Sequence, residues 1–147
     1  MSDAETRGRE LFDSGLFCAE AVLKTVAEGH GLDGRHIPAM ATGFCSGMAR
    51  SGGPCGAMTG AVMALGLVLG RDNPEQSVEE TYAAVRTVMA RFEERFGSNN
   101  CKELLGVDLD TPEGQQDFAE KKLGSRCKEF TATAAGLVEQ ALENREE

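Results

Sequence analysis

Gly52-Gly53-Pro54-Cys55-Gly56-Ala57-Met58-Thr59-Gly60 runs directly into Ala61-Val62-Met63-Ala64-Leu65-Gly66-Leu67-Val68-Leu69, and the reading of this stretch decides the fold. It reads as a glycine loop feeding a buried helix over about 54–70. Pro54 suits the first helical position, where its missing amide hydrogen costs nothing, so Cys55 is expected at the second. A thiol in a first turn faces free amide hydrogens and the positive end of the helix dipole, which favour a thiolate. Residues 55–70 carry no charge over 16 positions, shorter than the ~20 residues that span a bilayer, and include four glycines. A core helix is therefore expected. Gly56, Gly60 and Ala64 share one face and Gly66 and Gly70 another, so neighbouring backbones are expected to approach closely and encase it.

Outward from this helix, the pattern is helical throughout. Residues 3–13 are charged and helix-prone. Leu16, Phe17, Ala19, Val22, Leu23 and Val26 recur at spacings of three and four, with Ser14 as a candidate cap. Ile37 to Phe44 predicts another short helix, followed by a glycine-rich connection over 47–53. Ser77-Val78-Glu79-Glu80 fits a capping box, opening a long helix to Phe96 with a stripe of Val78, Tyr82, Val85, Val88, Met89, Phe92 and Phe96. Gly97 stops it. Ser98-Asn99-Asn100 offers caps before Cys101, Thr111-Pro112 opens a helix to about Lys122, and Ser125 is a candidate cap for a last helix to Asn144. No run alternates as a half-buried strand does. The expectation is an all-α bundle of about five to seven helices around the central one, forming one domain over 1–147.

Net charge is -9, from 15 basic and 24 acidic residues, and no basic patch interrupts it, which argues against nucleic acid or an anionic membrane as partner. The absence of Trp and a single Tyr disfavour a base-stacking platform. The polar start Met1-Ser2-Asp3-Ala4-Glu5 lacks an apolar leader, so a cytoplasmic protein with reduced thiols is expected. The exposed small-residue faces would allow a homodimer.

Five cysteines are present without any Cys-x-x-Cys pair, so neither zinc-ribbon spacing nor a thioredoxin-type motif is available. Cys55, Cys101 and Cys127 each follow a capping signal and Cys18 follows a weaker one. If those helix ends converge, their amide donors would point at one group of sulfurs able to hold thiolates, a metal or an iron-sulfur cluster. Lys102, Arg126 and Lys128 neighbour these thiols and either help to lower their pKa values or are simply solvated at the surface. A buried cysteine is also a common small apolar filler, and that is the first expectation for Cys45, with a fifth ligand or a resolving thiol as the alternatives.

Leu16-Phe17-Cys18-Ala19-Glu20, Thr42-Gly43-Phe44, Gly47-Met48-Ala49-Arg50, Cys55-Gly56-Ala57-Met58-Thr59-Gly60, Phe96-Gly97-Ser98 with Cys101, and Cys127 together make a pattern that resembles the C_GCAxxG_C_C family of redox-active proteins. The resemblance covers nearly the whole chain. It maps the four family cysteines onto Cys18, Cys55, Cys101 and Cys127, with Gly56, Ala57 and Gly60 completing the signature, and leaves Cys45 outside it. It implies a redox role, and a related domain in some multihaem cytochromes carries an iron-sulfur centre.

The leading expectation is an iron-sulfur cluster, two-iron in its simplest form, held by Cys18, Cys55, Cys101 and Cys127, with Gly56 and Gly60 shaping the site for electron transfer or redox sensing with a protein partner. One rival is a thiol-disulfide protein with Cys55 as attacking thiolate. A structural four-cysteine zinc site is another, and a cofactor-free helical interaction domain a third.

Overall fold

Ser2 opens the first helix, its hydroxyl accepting the backbone N–H of Glu5, and a computed structural model describes the chain from there to Arg145. Eight α-helices are present among the described residues: α1 (Asp3–Asp13), α2 (Cys18–Gly29), α3 (Cys45–Ala49), α4 (Gly56–Leu69), α5 (Glu79–Phe96), α6 (Cys101–Leu105), α7 (Pro112–Glu120) and α8 (Gly124–Asn144). A 3-10 helix over Ala39–Phe44 replaces the short helix expected there. The class is all-α as expected, and the helix count rises above the expected range because short turns flank the site.

The frame is α2, α4 and α8 packed against one another, with α1 laid along α8 and α2, and α5 against α4 and α8. The core they share includes Val22, Leu23 and Val26 of α2, Met58, Ala61 and Leu65 of α4, and Phe130 and Val138 of α8. Burial of each such side chain is worth about 1.5–3 kcal/mol, so this apolar seam holds the frame. Phe92, Phe96 and Phe130 stack edge-on or tilted, with centroids 4.9 to 5.9 Å apart, and lock α5 to α8 beside the site. Arg7 reaches Glu28 at 2.8 Å and Arg9 reaches Glu129 at 2.7 Å, tying α1 to α2 and α8. No described helix is long and apolar enough to cross a membrane.

The small face of α4 does what its spacing suggested. A Cβ on Gly60 would lie 2.7 Å from the Ala19 carbonyl oxygen and 2.9 Å from its Cα, so only glycine admits the backbone of α2 there. The second small face differs from expectation. A Cβ on Gly66 would meet nothing within 4 Å, and Val62 and Leu67 are each 39% exposed, so α4 is covered on one side only. Helix α5 is likewise narrower in its contact than its stripe implies. Val88 and Phe92 are buried, while Tyr82 is 58% and Met89 37% exposed, because the helix rests on the frame along a single row.

Several caps also differ. Ser14 ends α1 rather than starting α2, its hydroxyl donating to the Leu11 carbonyl, and α2 is opened by Phe17, whose N–H is accepted by Glu20. Ser77 sits one residue too early for a capping box, accepting from Glu79 N–H ahead of Val78 at the N-cap. Ser125 lies inside the first turn of α8, which begins at Gly124, and its hydroxyl donates to the Lys122 carbonyl. Pro54 stays outside α4, paired in an isolated antiparallel bridge with Asn100, which moves Cys55 to the N-cap. The Ser14 and Ser125 hydroxyls donate to carbonyls three residues back, which uses them locally in place of the expected caps.

Candidate functional site

Cys18 is the first residue of α2, Cys55 the N-cap of α4, Cys101 the first residue of α6, and Cys127 lies in the first turn of α8. All four line one cavity of about 390 Å³ with a predominantly apolar wall, together with Gly56 and aromatic and leucine side chains from α1 and α6 to α8. Cys18, Cys55 and Cys101 are buried and Cys127 is half-buried. The cavity reaches the surface beside Phe17, which is 56% exposed. Gly60, also expected at the site, is not in its wall; it acts one turn further on, by letting α2 and α4 touch.

Three local devices bring the thiols together. The first is the bridge between residues 53–55 and 99–101. Cys55 N–H donates to Asn99 O at 2.7 Å and Cys101 N–H donates to Gly53 O at 2.9 Å, so the two cysteines flank one short antiparallel pairing. Asn100 reinforces it, its Nδ2 donating to Gly52 O at 2.8 Å while its Oδ1 caps α6 by accepting from Glu103 N–H. The second is Gly56, where a Cβ would fall 2.3 Å from Cys18 Sγ and 3.3 Å from Cys45 Cα. A missing methyl group thus seats Cys18 at the mouth of α4.

The third device was invisible in the sequence. Within α3 the chain turns left-handed, with Ser46 at φ 58, Gly47 at 68, Met48 at 65 and Ala49 at 55, followed by Arg50 at 69. Arg50 N–H closes the turn on Ser46 O at 2.9 Å. Each non-glycine residue in this conformation costs roughly 1–2 kcal/mol, so the surroundings must impose it. They do so through Gly53 N–H, which donates to Gly47 O at 2.8 Å, and through Cys101. A Cβ on Gly47 would lie 2.5 Å from Cys101 Cβ and 3.0 Å from its Sγ. The turn therefore lies directly over Cys101 and carries Ser46 and Arg50 into the cavity wall.

The electrostatics correct the expectation of activated thiolates. Burial pushes the Cys55 thiol up to about 12, against the N–H groups of Ala57 and Met58, which pull it down. Burial, with Cys101 beside it, raises Cys127 to about 12, and Arg126 opposes this. Burial also raises Cys101. Desolvation outweighs the helix ends, so Cys55 is a poor free nucleophile. Of the three neighbouring cations, only Arg126 acts on a thiol; Lys102 faces Asp108 at 3.6 Å and Lys128 faces Asp13 at 2.8 Å. Arg50, quoted in the family pattern without a role of its own, makes no side-chain hydrogen bond or ion pair and borders the cavity.

Among the described residues, no three Cys, His, Asp or Glu side chains stand close enough together to hold one metal ion. The four thiols surround a space rather than a point.

Comparison with known proteins places the chain among relatives. A family model described as "Putative redox-active protein (C_GCAxxG_C_C)" matches residues 16–141. An uncharacterized protein of Archaeoglobus fulgidus is 28% identical over 140 residues, spanning 89% of this chain and 92% of that protein. No solved structure matches. The family match takes in all four cavity cysteines and both glycines of the signature, and the chain belongs to the C_GCAxxG_C_C family of redox-active proteins.

Proposed function

We propose that Cys18, Cys55, Cys101 and Cys127 hold an iron-sulfur cluster in the cavity, and that the protein transfers electrons to a partner protein or senses redox state with it. The observation that carries this reading is the convergence of four cysteines, each at the start of a different helix, on one largely apolar cavity. When bound, such a cluster supplies one-electron transfer, and four thiolates are its ordinary ligand set. A two-iron cluster is the simplest that uses all four.

The residues of the chain have distinct parts in this. The bridge through Pro54 and Asn100 fixes Cys55 beside Cys101. The backbone N–H groups of Ala57 and Met58 donate toward Cys55 and offset the negative charge of a ligating sulfur. Arg50, free of any carboxylate, offsets more of that charge from the cavity edge. Phe12, Leu104, Leu105 and Phe118 keep water from the sulfurs, and Phe17 marks the edge nearest solvent, where a partner would come closest.

Anaerobic purification followed by iron and acid-labile sulfide assays and a visible spectrum tests the proposal. Coloured protein with matching iron and sulfide is expected, lost on replacing any one of the four cysteines by serine. Colourless, iron-free protein after cluster reconstitution refutes it. One zinc per chain and no sulfide would replace it with a structural metal site.

A further inference from the structure

Cys45 lies outside the four-cysteine set, and neither the family pattern nor the cavity wall includes it. It is only 4% exposed, yet it is not merely filling space. The neighbouring Cys18 thiol and burial together push the Cys45 thiol well above its ordinary value, so the two sulfurs lie close enough to influence one another. The S–H donates to Ala41 O at 3.6 Å. Gly56 holds the two cysteines to one another, since the same missing methyl leaves room for Cys18 Sγ and Cys45 Cα on either side. The thiols thus fall into two groups: Cys18 leans on Cys45, while Cys55, Cys101 and Cys127 influence one another.

We infer that Cys18 and Cys45 form a reversible disulfide, an oxidation site that shares Cys18 with the four-cysteine set and adds Cys45 to it, with hydrogen peroxide or a similar small hydroperoxide as oxidant. Cys18 is the residue attacked first, because it lines the cavity and Cys45 does not. Its sulfur, as thiolate, attacks one peroxide oxygen; the O–O bond breaks, Cys18 becomes a sulfenic acid and one water leaves. Cys45 sulfur then attacks the Cys18 sulfur, the S–O bond breaks, and a second water leaves as the S–S bond forms. Two thiol hydrogens and two electrons leave the protein, and one peroxide is reduced to two waters. A dithiol reductant reverses the change.

The inference stands without the cluster and is tested on metal-free protein. Chain freed of metal with a chelator, reduced and desalted, is treated with equimolar hydrogen peroxide and analysed by intact mass and peptide mapping. Loss of two hydrogens, a linked peptide joining Cys18 to Cys45, and reversal by dithiothreitol are expected. In Cys45→Ala the linked peptide is absent, and Cys18 is instead labelled by a sulfenic-acid-specific dione that leaves the native chain unlabelled. Crosslinks confined to Cys55, Cys101 and Cys127, or Cys18 and Cys45 both still alkylated after peroxide, overturn the inference. If Cys45→Ala loses its helical circular dichroism, the mapping of the native chain decides alone. Iron-free native protein would end the cluster proposal and leave this one intact, and the reverse outcome is read just as separately.

Discussion

Gly60 and Gly66 lie on the same helix six positions apart and should respond to alanine in opposite senses. Glycine within a helix is worth about 1 kcal/mol less than alanine, so both substitutions start with the same gain. At Gly66 nothing opposes it, because the new methyl meets no atom within 4 Å. Gly66→Ala is expected to stabilise by about 0.5–1 kcal/mol. At Gly60 the methyl would lie 2.7 Å from Ala19 O, 2.9 Å from Ala19 Cα and 3.2 Å from Ala19 C, all backbone atoms that cannot rotate aside. Overpacking of this kind costs about 1–3 kcal/mol, and here α2 and α4 must part along their whole contact, so the upper half of that range applies. The net for Gly60→Ala is a loss of about 1–2 kcal/mol, and the two variants differ by about 2–3 kcal/mol with helix propensity cancelled. At roughly 2–4 °C per kcal/mol for a chain of this size, the melting temperatures separate by about 4–12 °C. Thermal unfolding followed by circular dichroism reads this directly. A Gly60→Ala variant as stable as Gly66→Ala would refute the claim that absence of a side chain brings these helices together.

Gly47→Ala should be more damaging still, since it adds a side chain both at φ 68 and 2.5 Å from Cys101 Cβ; a loss of about 2–4 kcal/mol in urea unfolding is expected, and an unchanged midpoint would contradict the left-handed turn. Asn100→Ala removes the cap of α6 and the hydrogen bond to Gly52 O, and should cost about 1–2 kcal/mol while lowering iron retained after reconstitution; full stability would mean the bridge stands without it. Hydrogen bonding to Arg7 holds the Glu28 carboxyl below its ordinary 4.5, so its contribution is complete above that value and is lost as pH falls through the lower folded-state value. Glu28→Gln should therefore melt below the native chain at neutral pH and level with it in acid, and a gap that persists in acid would exclude this pairing as its source.

The helices were legible because apolar residues at three- and four-residue spacings can be buried only on a helix face, and Val22, Val26, Leu65 and Phe130 are buried as their spacing requires. The cysteines were legible as a group because each stands at a helix start, although only Asn100, ahead of Cys101, caps as its sequence suggested. What α4 and α5 present to solvent was not, since a stripe shows which side is apolar without saying how much of it a neighbour covers; Tyr82 and Val62 are the result. The left-handed turn at Ser46–Arg50 gave no local sign because only Gly47 favours it, and the remainder is imposed by Cys101 and Gly53 from elsewhere. Cys45 was read as packing for a similar reason: its contact with Cys18 depends on a glycine in a third helix.

The bridge between residues 53–55 and 99–101 bears on the order of biosynthesis. It joins parts of the chain separated by all of α4 and all of α5, and the wall is completed only by Cys127 at the start of α8. During translation, α1 emerges long before its principal partner, α8, exists, and α2 emerges before either α4 or α8. Loops of this length close late, after local helices have formed. A nascent chain therefore exposes Cys18, Cys45 and Cys55 to the surrounding medium while Cys101 and Cys127 are still to be made. Whatever the cavity receives must enter after the start of α8 has been made, and until then the early thiols have only one another.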